Sequence, residues 1–238
     1  MRNLKRTLSL ALASVMLVGM MSVGASAVNA SDFTDADEIV NKDAVSTMTA
    51  LGIINGKEDG SYFDPTGNVT RAEMAKMLCV AINGGVDPVL GVKDTPTFTD
   101  IKGHWAESYI EYCAANGIIA GRGNNKFDPT GTVSATEAAK MLLGVLGYNA
   151  EKSGLVGNDW AINTNVLANQ NGLYKNLANL NANTLLTRDN AAQMIYNALD
   201  ANMVELNAAG NYTTSQYSYT GTESVVTGTE RVWVLTIK

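Results

Sequence analysis

This 238-residue sequence predicts a mainly α-helical fold of repeated helix-loop-helix units followed by a short β-like tail. Three observations predict it. A pattern of turns and apolar stripes recurs three times along the chain. The second helix of each recurrence carries apolar residues at i, i+3, i+4, i+7 and i+8, the stripe of a helix buried on one side. From Asn207 the composition shifts to Thr, Ser and Tyr, ahead of Arg231-Val232-Trp233-Val234-Leu235-Thr236-Ile237, which reads as a strand.

The chain opens with Arg2, Lys5 and Arg6, an uncharged apolar run from Leu8 to about Met21, and the small-x-small sites Ala25-Ser26-Ala27 and Val28-Asn29-Ala30. That order is the layout of a secretory signal peptide over residues 1–30, cut before Val28 or before Ser31. The apolar run is shorter than the ~20 residues of a membrane-spanning helix. Export without further membrane attachment is therefore expected. Loss of these three cations takes the net charge from −6 to −9, which disfavours nucleic acid and anionic lipid as partners. An anionic partner would have to be held by a few placed cations.

The first unit spans residues 31–84, the second 95–148 and a divergent third 149–206, with 207–238 as the tail. Phe33-Thr34-Asp35 opens the first unit and Phe98-Thr99-Asp100 the second. Each runs through an amphipathic segment to Gly52-Ile53-Ile54 or Gly117-Ile118-Ile119, then to Asp64-Pro65-Thr66-Gly67 or Asp128-Pro129-Thr130-Gly131. Pro second and Gly fourth suit a type I turn. The third unit keeps Asp159-Trp160-Ala161, parallel to His104-Trp105-Ala106, and Gly172-Leu173, but lacks the Asp-Pro-Thr-Gly turn. The three stripes are Met74, Met77, Leu78, Ala81 and Ile82; Ala138, Met141, Leu142, Val145 and Leu146; and Ala191, Met194, Ile195, Ala198 and Leu199. Thr70 with Glu73 and Ser134 with Glu137 have capping-box spacing, and Thr187 with Asn190 is a weaker version. Gly52, Gly117 and Gly172 sit where a left-handed residue closes the preceding helix. One such unit buries too little surface to stand alone, so the units are expected to share a core.

These residues resemble the S-layer homology (SLH) family over 31 to about 202. The resemblance rests on the Phe-x-Asp opening, the His-Trp-Ala of the second unit, Gly-Ile-Ile, the Phe-Asp-Pro turn and Thr70-Arg71-Ala72-Glu73. It implies three modules in a pseudo-threefold arrangement around a shared three-helix core, with grooves between outward prongs. It also implies non-covalent anchoring to an anionic secondary cell-wall polysaccharide, often a pyruvylated one, with the motif arginine in the groove.

The resemblance and the residues together nominate Arg71, Arg188, Trp105, Trp160, Glu73 and Asp100 as glycan-binding. Arg71 and Arg188 would occupy the first position of their helices, where a cation opposes the helix dipole at ~0.3–1 kcal/mol. Beside unpaired N–H groups at the helix start, an arginine would complete an anion site, its planar fork suited to a carboxylate. The plainer reading is an arginine paired with a nearby acid. The second unit has Ala135 in place of the arginine, so at most two working sites are expected. Trp105 and Trp160 either wall a groove, as in the family, or wedge into the inter-unit core. The first unit has Val40 or a neighbour there. Asp35 and Asp100 either bond sugar hydroxyls or cap the first helix, and capping is favoured.

Enzyme chemistry finds little support. His104 is the only histidine, and it offers no zinc-type spacing with the two cysteines, Cys79 and Cys113. No nucleophile elbow, phosphate loop or dinucleotide fingerprint occurs. The acids Asp32, Asp35, Asp37 and Glu38 lack the loop of an EF-hand. No cofactor and no metal are expected. A self-assembling surface-layer subunit, with the tail making lateral contacts, is the alternative function, and a wall-remodelling hydrolase a further one. Both cysteines fall at apolar helical positions and read as buried thiols, though sequence cannot supply the geometry of a bridge.

Overall fold

The computed structural model describes residues 28–177 and 183–214. The apolar leader up to residue 27 and the strand read at Arg231–Ile237 lie outside the described residues. Single turns of 3-10 helix at Ala30–Asp32 and Ala36–Glu38 precede six α-helices: α1 Lys42–Ala50, α2 Arg71–Ile82, α3 Glu107–Ala115, α4 Ala135–Val145, α5 Trp160–Gln170 and α6 Arg188–Leu199. Two three-residue strands, β1 Val204–Leu206 and β2 Tyr212–Thr214, pair antiparallel as a hairpin that the sequence did not foretell. The mainly α fold class stands.

The second helices begin where the capping residues direct. Thr70 accepts the Glu73 N–H while the Glu73 carboxylate accepts the Thr70 N–H, and Ser134 with Glu137 repeats the reciprocal box. Thr187 accepts the Asn190 N–H without the return bond. The stripes fall on α2, α4 and α6 as read, but bury fully only in their first part: Ala81, Ile82, Val145 and Ala198 are half-buried, Leu146 is buried just past the end of α4, and Leu199 is exposed. Gly52 closes α1 at φ +69°, where a Cβ would also lie 2.8 Å from the Gly85 carbonyl oxygen.

Three extended residues just ahead of α2, α4 and α6 join the units. The Val69 N–H donates to Leu186 O, the Leu186 N–H to Val133 O, and the Val133 N–H to Val69 O, each at 2.9 Å. This triangle closes on itself. Each second helix then starts against the turn of another unit. The Arg71 and Ala72 N–H groups donate to Gly131 O and Pro129 O at 2.8 and 3.0 Å, and those of Arg188 and Asp189 to Gly67 O and Pro65 O at 2.9 and 3.1 Å. The Ala135 N–H donates to Thr184 O at 2.9 Å. First helices are traded in the same sense: α3 packs on α2, α5 on α4, and α1 on α6. The first unit is thereby closed against the third, the pseudo-threefold arrangement that the resemblance implies.

Asp35 and Asp100 do not cap the helices that follow them. The Asp35 carboxylate accepts the Phe63 and Asp64 N–H groups at 2.9 and 2.7 Å, and Asp100 accepts those of Phe127 and Asp128, both at 2.8 Å. Phe33 packs on Phe63 and Phe98 on Phe127, with ring centroids 5.2 and 5.5 Å apart. The Phe-x-Asp opening therefore clamps its own unit's Phe-Asp-Pro turn. The charge offers the turn two acceptor oxygens that a helix start, served elsewhere, does not need. Asp64 and Asp128 take φ of +60° and +62° there, a left-handed backbone that aspartate tolerates better than most residues. The turn hydrogen bond forms as expected, from the Gly67 N–H to Asp64 O and from the Gly131 N–H to Asp128 O.

Two buried carboxylates hold the start of the second unit. Glu107 accepts the Gly103 N–H, and Glu111 accepts the Thr97 N–H and hydroxyl and pairs with Lys93. Burial alone would raise the Asp100 and Glu111 pKa values. The amide donors of Phe127 and Asp128 on Asp100, and the Lys93 and Thr97 donors on Glu111, more than offset that and hold both below the ordinary range. Carboxyls depressed by folding contribute stability above their unfolded pKa near ~4 and lose it as pH falls through the folded value. Thermal melts should therefore be insensitive to these groups between about pH 5 and 7 and fall below about pH 4. Asp100→Asn should lose ~1–3 kcal/mol at pH 7 by chemical denaturation, and less at pH 3.

Candidate functional site

Each arginine leaves the start of its helix and crosses to the next unit. Arg71 donates from Nε to Phe127 O at 2.8 Å and from Nη2 to Ala120 O at 2.7 Å, and its guanidinium stacks 4.4 Å from the Phe127 ring centroid. Arg188 repeats this on the first unit, with Nε to Phe63 O and Nη2 to Asn55 O, both 2.7 Å, and a 5.0 Å stack on Phe63. The residues are only 3% and 6% exposed. Burial lowers the Arg71 pKa to about 10, against the favourable field of Glu137, so it stays charged at neutral pH. Arg188 is lowered by the same cause, opposed by Glu73, Asp64 and Asp35.

The expected anion site at the helix start is corrected by this geometry. The first two N–H groups of α2 and α6 are occupied by turn carbonyls, and the third by the capping hydroxyl. No free N–H cradle remains at either end. The arginines serve first as staples that fasten one unit's turn to another unit's helix. Their third nitrogen differs: Arg71 Nη1 lies 3.4 Å from Glu137 Oε1, whereas Arg188 Nη1 meets no side-chain acceptor among the described residues.

Around each arginine lies a second rank of charge that sequence reasoning missed. Arg122 grips Glu137 with Nε and Nη2 at 2.8–3.0 Å and reaches Asp128 at 2.5 Å. Lys57, its equivalent in the first unit, reaches only Asp64, at 2.5 Å. One turn into the core helices stand Lys76 and Lys140, both at the i+3 position from the capping glutamates. Lys140 lies 5.1 Å from the centroid of Trp160, with no ion pair among the described residues. Burial lowers its pKa, helped by the like charge of Arg71. Lys76 lies 5.6 Å from the Tyr109 ring and pairs with Asp87 at 3.2 Å, and Trp105 packs beside Tyr109 at 6.4 Å. Repetition of Glu-x-x-Lys in Glu73–Lys76 and Glu137–Lys140 is the signal that could have found them.

Two grooves follow. Trp160, Lys140, Arg122, Glu137 and Arg71 gather where the second unit meets its neighbours. Trp105, Tyr109, Lys76, Glu73 and Arg188 do so around the first. Trp105 is 56% exposed, so it does not wedge in the core, and Trp160 is half-buried. Glu73 is held by the Thr70 N–H and hydroxyl at 2.7 and 2.8 Å. Asp100, committed to two amides, stands behind the Phe127 turn and not on a groove wall.

The third corner has lost every one of these groups together. Ala135 replaces the arginine, Asn190 the glutamate and Gln193 the lysine, and Val40, 82% exposed, stands at the tryptophan position. Gln193 turns inward to donate to Asn197. Asp189, which departs from the motif alanine, accepts the Val40 and Asn41 N–H groups at 3.2 and 3.1 Å and so holds the chain just ahead of α1 from another unit.

Fold and site together define a ring of helix-loop-helix units with two clusters of cationic and aromatic side chains. Comparison with known proteins agrees with that class. The S-layer homology domain model matches residues 32–75 and 97–139, the first two units; the third is not matched. A cell surface protein of Thermoanaerobacter kivui is 28% identical over 207 residues, covering 86% of this chain and 26% of that protein. An S-layer protein of Bacillus licheniformis is 32% identical over 111 residues, 47% of this chain and 12% of that protein. The exoglucanase XynX of Acetivibrio thermocellus is 29% identical over 156 residues, 61% and 14% respectively. The chain thus spans about a quarter or less of the length of these relatives. Among the described residues no helix is long and apolar enough to cross a membrane.

Replacing a staple is expected to damage the fold as well as any ligand contact. Arg71→Ala or Arg188→Ala strands two carbonyls and opens a cavity against a phenylalanine ring. Each should cost ~2–4 kcal/mol in chemical denaturation. Lys140→Ala, by contrast, should change stability by less than about 0.5 kcal/mol.

Proposed function

We propose that this chain holds an exported protein at the bacterial cell surface by binding an anionic cell-wall polysaccharide in the two charged grooves, and that it is not itself an enzyme. The observation that carries the reading is the shared composition of the two grooves. Each sets a lysine beside a tryptophan or tyrosine ring, with a buried arginine contributed by a different core helix. Lys140 is the sharpest case, a half-buried cation with no ion pair among the described residues. A sugar acid suits such a place: its carboxylate meets the lysine and its C–H face meets the indole ring. Trp105 and Trp160 are the sugar platforms, Lys76 and Lys140 the anion contacts, and Arg71 and Arg188 charged supports behind them. Glu73 positions the Arg188 groove through its cap. Asp100 supports the turn and is not proposed to touch sugar. A pyruvyl ketal is one carboxylate of the right reach.

The third unit is read as a divergent member of the same repeat family, retained for closure of the ring. Its corner, stripped of charge, is proposed to bind no anion. That the S-layer homology match falls on the first two units, together with the surface and S-layer names of the relatives, supports an anchoring role. The exoglucanase relative is compatible with the same role, since the matched segment is a small part of that protein. Assembly into a surface array is the second reading, favoured by the S-layer relatives. Sedimentation of purified protein without wall material distinguishes it, since an array former shows large assemblies.

We propose that the leader is cut before Val28 and not before Ser31. The Ala30 side chain is 2% exposed and its N–H donates to Ser46 Oγ at 2.9 Å, so a cut before Ser31 would remove packed structure. N-terminal sequencing of the secreted protein should read Val28-Asn29-Ala30.

Co-sedimentation with wall sacculi tests the grooves. Binding should vanish when the secondary polymer is stripped from the wall. It should weaken at least tenfold in Lys76→Glu plus Lys140→Glu, with the melting temperature within about 2 °C of the parent. Unchanged binding in that stable double variant would refute the assignment.

A further inference from the structure

Neither cysteine takes part in a groove, yet the fold brings the two together. Cys79 sits near the end of α2 in the first unit and Cys113 near the end of α3 in the second, 34 residues apart in sequence. Their Sγ atoms are 3.3 Å apart, and both side chains are buried. Cys79 also reaches Tyr109 O at 3.5 Å and Cys113 reaches Ala75 O at 3.6 Å, each the backbone of the partner's helix. The thiols are thus at the seam where one unit's first helix lies on another unit's core helix.

We infer that Cys79 and Cys113 are a disulfide site that covalently staples the first unit to the second. A bond needs sulfurs about 2.0 Å apart, so the pair must close by roughly 1.3 Å, within reach of small side-chain rotations. The chemistry needs a disulfide oxidant, and oxidised glutathione serves as the probe. The Cys79 thiolate attacks one glutathione sulfur, forming a mixed disulfide and releasing one reduced glutathione. The Cys113 thiolate then attacks the Cys79 sulfur and expels the second, so two thiols are oxidised and one glutathione disulfide is reduced. The hydrogen bond between the thiols, with burial, raises the Cys113 pKa in the closed fold. The bond therefore forms readily while the chain is folding and slowly once the seam has closed.

The bridge acts on more than stability. Cys113 shares α3 with Tyr109, whose ring faces Lys76, one turn before Cys79 on α2. A staple here holds the aromatic wall of the Arg188 groove against its lysine. That consequence rests on the anchoring reading; the bridge itself does not.

The test is refolding of the denatured, reduced protein in a glutathione redox buffer. Expected are an intact mass lower by two hydrogens, a linked peptide pair containing Cys79 and Cys113, and a melting temperature about 5–10 °C above the reduced form. Dithiothreitol should abolish the increment, and Cys79→Ala plus Cys113→Ala should melt identically with and without it. Glutathione adducts or two free thiols as the main product would overturn the site. A bridged form that melts no higher than the reduced one would overturn the staple. Wall binding that fails in the bridged protein, with mass and melting as expected, would count against the groove reading alone.

Discussion

Three backbone hydrogen bonds, Val69 to Leu186 to Val133 and back to Val69, are the constraint on which the rest depends. No unit contains a complete one of them. Each second helix takes its starting N–H acceptors from a neighbour's turn, and each first helix finds its apolar support on a different unit's core helix. A chain segment that begins a unit therefore finishes folding only when another unit is in place. Cooperativity across the ring is a direct consequence, because breaking one side of the triangle strands groups in all three units.

The arginines belong to this same logic. A cation at the first turn of a helix works against the dipole, and the structure shows what offsets it: two carbonyls and an aromatic face of the next unit. Such a group costs much to remove and is ill placed to serve as the only ligand contact. Lys76 and Lys140 are the opposite, half exposed, cheap to replace and facing an aromatic ring. Only α2 carries both kinds, Arg71 and Lys76; Arg188 on α6 has no lysine beside it and Lys140 on α4 no arginine. Ala135 fits this division. Where the staple is absent the lysine, glutamate and tryptophan positions have changed as well, so the third corner differs as a set.

Much of the fold was legible because it is written locally. The Thr70–Glu73 and Ser134–Glu137 boxes, the apolar stripes and the glycines closing the first helices all act within one or two turns of chain. The missed features are those that cross units. Nothing near Asp35 or Asp100 in sequence says that their oxygens serve amides 27 to 29 residues further on, and helix capping is the local inference that such an aspartate invites. The free N–H groups expected beside Arg71 and Arg188 were wrong for the same reason, since their acceptors lie in the turns of other units. The hairpin at β1 and β2 is paired locally and is tied to the second unit by Val204 donating to Leu146 O. Of the candidate site, the two tryptophans and the two arginines were nominated by motif, while Lys76, Lys140 and Arg122 come to notice only through their contacts in the folded chain.

Amide hydrogen exchange at Val69, Val133 and Leu186 is the most direct measurement of the closed ring. If the triangle is the shared joint, the three N–H groups exchange only through global opening, with equal protection matching the unfolding free energy from denaturation. A Leu186 or Val133 amide that exchanges many-fold faster than Val69 under the same conditions would mean that one unit opens alone, and the closed ring would not be the joint described.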